Sequence, residues 1–422
     1  MELVNKMVEP IRLPKIRKIR QRFPDIRLEK PAEYLTSELN RVFPGDLSGK
    51  RIALTCGSRG IDCYALLVKT AVDWLKAKGA YPVLIPSMGS HGGATAAGQA
   101  SILSHYGITE ESMGAPVLSS METVELGKTA AGLPVFFDKN AYACDGVLLL
   151  NRIKAHTSFR GPYESGLYKM MAIGLAKQKG AEMTHYLRFE NMAQNIQDVA
   201  HIVLEKVPIL GGIASIENGY DKLAELHVLT PEEITAEEPE LLKKAKSYMS
   251  GLPLMQMDTL IVEEIGKNIS GTGMDTNVIG RYHSPAASGG PVSKDLGILR
   301  LTEEAGGNAI GMGLADFITR KLYEQIDLEA TYMNCLTSIA TGSGKIPVTM
   351  DNDRLLFKAC AKHSGRLDPE DISLVIIKNT KELDELWMSE AAWKTVAHPE
   401  LCSPEGDYFE IPFDENGNLT LK

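Results

Sequence analysis

The chain has 422 residues, 44% of them hydrophobic and 23% charged, a length that exceeds one hydrophobic core and makes two domains the expectation. Its formal net charge of −9 argues against a nucleic-acid partner, which needs a basic surface, while leaving room for a small anionic substrate in a locally cationic cleft. Six cysteines without a CxxC pair speak against a zinc or iron–sulfur framework and against a disulfide scaffold.

In chain order, Arg51 to Cys56 is a short apolar run closed by Gly57, the pattern of a buried strand. Residues 61–78 carry Ile61, Ala65, Leu66, Val72 and Leu75 at helical spacing and stop at Gly79. Tyr81 to Ile85 reads as a second strand, followed by a small-residue loop around His91 and a helix over 94–106. Gly146 to Leu150 is a third buried strand and leads to His156. Such alternation predicts an α/β fold with mostly parallel sheets. Arg59, His91 and His156 then fall just beyond strand carboxyl ends, where open α/β sheets bind ligands.

Thr230, Pro231 and Glu233 form a helix start, with a capping hydroxyl, proline at the first position and glutamate at the third. The charged helix that follows reaches a connector near Gly251 and Pro253, which divides the chain into 1–249 and 250–422. Beyond it, a strand from Thr259 to Ile265 leads into Gly266, Lys267 and Asn268. Helices are expected over 315–325 and 351–363, and a strand from Ile372 to Ile377. Glycine-rich stretches at 266–273 and 288–290 read as loops. The expected architecture is two α/β lobes with an active-site cleft between them. No apolar run approaches a membrane span, and the charged stretch from Lys6 to Lys18 lacks a signal-peptide core, so a reducing cytoplasm is the expected setting.

Four residues carry the chemical interest: His91, His156, Lys169 and His185. His91 lies among glycines at 89, 92 and 93, which permit close approach of a ligand before a helix N-terminus; a plain surface turn is the alternative. His156 ends a polar segment after an apolar strand, where a histidine satisfied by backbone is equally at home. Lys169 is flanked by apolar sequence, and burial would lower its pKa towards reactivity, unless its ammonium reaches water from an amphipathic helix. His185, taken alone, reads as a surface histidine. Thr341 to Lys345 lacks full P-loop spacing, and no HExxH, GxSxG or kinase signature is present.

In order and spacing, Arg59, Gly89-Ser90-His91, the strand into His156, and Lys169 with His185 sixteen positions later resemble the nickel-dependent lactate racemase family. The resemblance implies a nickel-pincer nucleotide, a sulfur-modified pyridinium mononucleotide joined to Lys169 through a thioamide, with nickel bound also by His185. It implies that His91 and His156 are the acid/bases on opposite faces of the substrate. Arg59 and Lys267 would hold the substrate carboxylate or its developing oxyanion. The implied activity is racemisation or epimerisation of a 2-hydroxy acid by reversible hydride transfer. The N-terminal domain would bind the cofactor, the C-terminal domain would close over the substrate, and cofactor-maturation proteins would be partners. Cys56 stands where the family commonly has an acidic residue, and Gly166-Leu167-Tyr168 replaces its Gly-Gly-Arg. These departures point to a divergent relative, for which a larger or more polar acid such as an aldonate or aryl-lactate suits as well as lactate. Two other readings stay open: a non-catalytic carrier on the same fold, and a nicotinamide-dependent oxidoreductase, for which a glycine fingerprint is lacking.

Overall fold

The computed structural model describes residues 1–422 except Arg59, Leu187 and Lys422. The chain forms two compact units, Pro24–Met249 and a second built from Met1–Phe23 with Ser250–Lys422. The sequence division at 249/250 had placed the first residues with the N-terminal unit. They belong instead to the second, because Ile16–Gln21 is a strand paired on both sides, with Glu385–Ser389 and with Cys402–Phe409. Backbone pairing with strands more than 300 residues away leaves no local pattern to read.

The 24–249 unit is built on a five-stranded sheet. Its order is Tyr81–Pro86, Arg51–Cys56, Gly146–Arg152, Ile209–Glu217, Leu223–Leu229; the first four are parallel and the last antiparallel. The central strands are apolar and buried along most of their length, as a parallel strand covered on both faces must be. The helix Tyr64–Ala77 buries Leu67, Val68, Ala71, Val72, Trp74 and Leu75, within a core that also contains Ile52, Leu54, Leu148 and Leu150. Helix Pro231–Tyr248 begins with the expected capping box, Thr230 and Glu233 each bonding the other's backbone.

The second unit carries an eight-stranded sheet, in which Val348–Met350, Phe317–Thr319, Val292–Leu301, Gln256–Ile265 and Leu374–Ile377 are parallel neighbours. Three antiparallel strands complete it: Glu385–Ser389, Ile16–Gln21 and Cys402–Phe409. The protein is therefore mixed α/β with mostly parallel sheets, as expected. The helix expected over 315–325 divides into a strand, Phe317–Thr319, and a short helix, Arg320–Glu324. There the β-branched pair Ile318 and Thr319 pairs with its parallel neighbours before helix formation resumes at Arg320. All six cysteines are free. No helix among the described residues is long and apolar enough to cross a membrane.

Candidate active site

His91 and His156 lie beyond the carboxyl ends of two strands of the same sheet, Tyr81–Pro86 and Gly146–Arg152. Ser58, beyond the strand between them, sits with Oγ 2.6 Å from His91 Nδ1. His91 is exposed but its loop is pinned from beneath. Gln99 Nε2 donates to the carbonyls of Gly89 and His91 at 2.9 and 3.3 Å. Lys177 Nζ donates to Gln99 Oε1 at 3.3 Å and to the Pro86 carbonyl at the strand end. The Lys177 charge is met by Asp138 at 2.9 Å, and both side chains are fully buried. Burial pulls the Lys177 pKa down while Asp138 opposes that shift. Gly89 has φ +60, and a Cβ there would stand 3.3 Å from the Ile173 carbonyl oxygen, so a larger residue would strain this turn. At the helix N-terminus expected to face a ligand, Thr95 accepts from the N–H of Gly98 and caps helix Ala96–His105, which satisfies one of the N–H groups there.

His156 is half-buried and packs against Phe159, ring centroids 4.4 Å apart. Its Nδ1 accepts the N–H of Ser158 at 3.1 Å, which leaves the neutral ring's proton on Nε2. Its own N–H donates to Glu164 Oε2 at 2.7 Å, and Lys246 pairs with the other oxygen at 2.7 Å. Backbone satisfaction of His156, one of the two sequence readings, is thus met at Nδ1 and sets the tautomer.

Lys169 closes a short helical turn, Leu167–Lys169, that passes into a single π-turn over Met170–Gly174, a wide turn common at functional sites. Glu238 Oε2 accepts the N–H groups of both Leu167 and Tyr168 at 3.1 Å. Burial pushes the Glu238 carboxyl up to about 8, outweighing those two donors. A Cβ on Gly166 would lie 2.1 Å from Glu238 Oε1, so a larger residue there would displace this carboxylate. Tyr163 and Tyr168 stack at 3.7 Å, and both hydroxyls bond Thr235.

His185 occupies the last turn of helix Lys177–Tyr186. Burial first, and the Lys169 charge second, pull its pKa down to about 4. The structure therefore places Lys169 and His185 within electrostatic reach of each other, sixteen residues apart in sequence. A neutral imidazole keeps a free lone pair at neutral pH, the form a metal accepts. Among the described residues no three His, Cys, Asp or Glu side chains converge as a metal cage, so His185 offers a metal one protein donor. That donor set, one imidazole beside one lysine amine, fits a lysine-linked group that brings its own metal ligands.

Lys267 follows the Gln256–Ile265 strand in the other unit. Arg59 lies outside the described residues. Sequence reasoning missed Ser58, Gln99, Lys177, Asp138, Glu164 and Glu238. One of these left a trace: Glu238 falls on the apolar stripe Ile234, Leu241, Leu242, Ala245 of its helix, where a carboxylate needs a special partner.

No family model matches the chain, and no curated protein matches it. Among solved structures it is similar to the lactate racemase apoprotein from Thermoanaerobacterium thermosaccharolyticum, at 13% identity and a TM-score of 0.43, over 59% of this chain and 66% of that one. At that identity and score the likeness fixes neither family nor activity.

Proposed function

We propose that the chain is a racemase or epimerase of a 2-hydroxy acid, working with a nickel-pincer nucleotide held by Lys169 and His185. The observation that carries this reading is the coupled pair of Lys169 and a neutral His185, in the unit whose sheet edge also presents His91 and His156. When bound, such a group would accept a hydride from the substrate Cα and return it to either face. Removing hydride avoids the second negative charge that direct deprotonation next to a carboxylate creates.

The chain's own residues would handle the proton. If His91 Nδ1–H donates to Ser58 Oγ, Nε2 carries the lone pair and takes the hydroxyl proton. His156, with Nδ1 engaged by Ser158, presents Nε2–H to the substrate oxygen. In the reverse direction His156 would act as base at Nε2 only as the Nδ1–H tautomer, with the bond from Ser158 given up, and either ring would return a proton only from its imidazolium form. Arg59 and Lys267 would align the carboxylate, and the substrate would be lactate or a larger, more polar relative. The cytoplasm and the maturation proteins belong to the same proposal.

Protein produced with the maturation proteins should contain one nickel per chain and show a cofactor-sized mass increase at Lys169. His91→Gln and His156→Gln should each slow enantiomer interconversion by about a hundredfold to ten-thousandfold. Nickel-free protein that interconverts enantiomers at full rate would sink the proposal. Binding of hydroxy acid without hydrogen exchange at Cα would replace it with a carrier role.

A further inference from the structure

The 250–422 unit holds a cavity of about 600 Å³ that contains none of His91, His156, Lys169 or His185. That volume lies within the range of small-molecule sites, and sheet topology explains its position. After the Gln256–Ile265 strand, the chain lays Val292–Leu301, Phe317–Thr319 and Val348–Met350 successively to one side. It then crosses over and places Leu374–Ile377, also parallel, on the other side of Gln256–Ile265. Loops leaving the carboxyl ends of Gln256–Ile265 and Leu374–Ile377 thus run in opposite directions and open a crevice, the place where open parallel sheets bind ligands. The cavity lies at this switch point: Glu264 and Asn268 line it from the first strand's end, Lys378 and Asn379 from the other's.

Its charges are unequally satisfied. Glu264 accepts from Asn379 Nδ2 at 3.1 Å, and Glu382 accepts from Asn379 and Lys378 at 2.9 and 2.7 Å. Arg300, at the end of the neighbouring strand, is different. Its carboxylate neighbours Glu263 and Asp353 stand 3.8 and 3.6 Å away, beyond hydrogen-bonding distance, although its side chain is only 29% exposed. Burial pushes Glu263 up to about 6 and raises Asp353, and the Arg300 charge opposes both shifts. A guanidinium has five donors in a planar fork suited to an oxyanion. Lys321, on the helix after Phe317–Thr319, and Lys381 line the same cavity, as do the carboxylates Glu303 and Glu304.

We propose that this cavity binds a small polar metabolite through an oxyanion, a phosphate ester or a carboxylate, gripped by the Arg300 fork with Lys321 beside it. The site is independent of the racemase reading, since no residue of that reading lines it. Calorimetric titration of the whole chain, carrying His185→Ala and free of nickel, keeps the two questions apart. The probes are inorganic phosphate, glucose 6-phosphate and succinate, the last separating carboxylate from phosphate recognition without being a 2-hydroxy acid. Saturable binding of at least one probe is expected, weakened about tenfold or more by Arg300→Gln and less by Lys321→Gln. Arg300→Lys, which keeps the charge but loses the fork, should fall between wild type and Arg300→Gln. If Arg300→Gln does not fold, a weakening of about threefold in Lys321→Gln carries the test. The proposal is overturned if no probe binds at millimolar concentration, or if the folded variants bind as tightly as wild type.

Discussion

The carboxyl edges of the two parallel sheets are finished in different ways. In the 24–249 unit, side chains buried beneath the loops hold them down: Lys177 and Gln99 under the His91 loop, Glu238 under the turn that carries Lys169. In the 250–422 unit, the edge at the topological switch stays open, and Arg300 lines it with Glu263 and Asp353 3.8 and 3.6 Å away. Groups that must meet reacting atoms at fixed distances need immobile loops, and buried polar anchors supply that. A site that only binds can leave donors unspent until a ligand arrives.

The contrast breaks most directly at Lys177. Lys177→Met strands the buried Asp138 carboxylate and should cost about 3–5 kcal/mol by urea denaturation, with much of the loss recovered by adding Asp138→Asn. Lys321→Gln, in the open edge, should change stability by less than about 1 kcal/mol. Equal losses at the two positions would erase the distinction.

Glu238 gives the next largest effect. Its carboxyl is near 8 in the folded chain against an ordinary 4.5, so its contribution is fully present below 4.5 and is lost as pH rises through 8. Glu238→Gln should flatten that decline, and its stability relative to wild type should improve between pH 5 and about 9. An unchanged pH profile would show that the carboxyl is not held as described.

His185 titrates in the opposite sense. Its folded value of about 4 lies below the ordinary 6.5, so its contribution is present above 6.5 and disappears as pH falls towards 4. Resonances of His185 in the metal-free chain should titrate near 4, and Lys169→Met should raise that value by removing the secondary charge effect. A midpoint near 6.5 would place His185 in water. The smallest effect is expected away from both edges: Thr230→Ala removes one half of the capping box and should cost about 1 kcal/mol.

Much of the scaffold was legible because it depends on local periodicity. Arg51–Cys56 is an apolar run that ends at a glycine, and helix Pro231–Tyr248 starts on a capping box written in four adjacent residues. The division into strand and helix at 317–324 was not legible, because Ile318 becomes strand only through its parallel neighbours. Similarly, nothing near Ile16 announces that its strand completes a sheet made of residues beyond 250.

The sequence by itself determined the alternating elements, the loops that bear His91 and His156, and the spacing of Lys169 and His185. These follow from side-chain type and order, which act over a few residues. Only the tertiary structure decided how each group is held. The His156 tautomer, the lowered His185 pKa, the Glu238 clasp on Lys169's turn and the pairing of Arg300 with Glu263 and Asp353 all arise from contacts between distant segments. Burial and hydrogen bonding set a side chain's protonation and direction, and both are properties of the folded neighbourhood rather than of the residue.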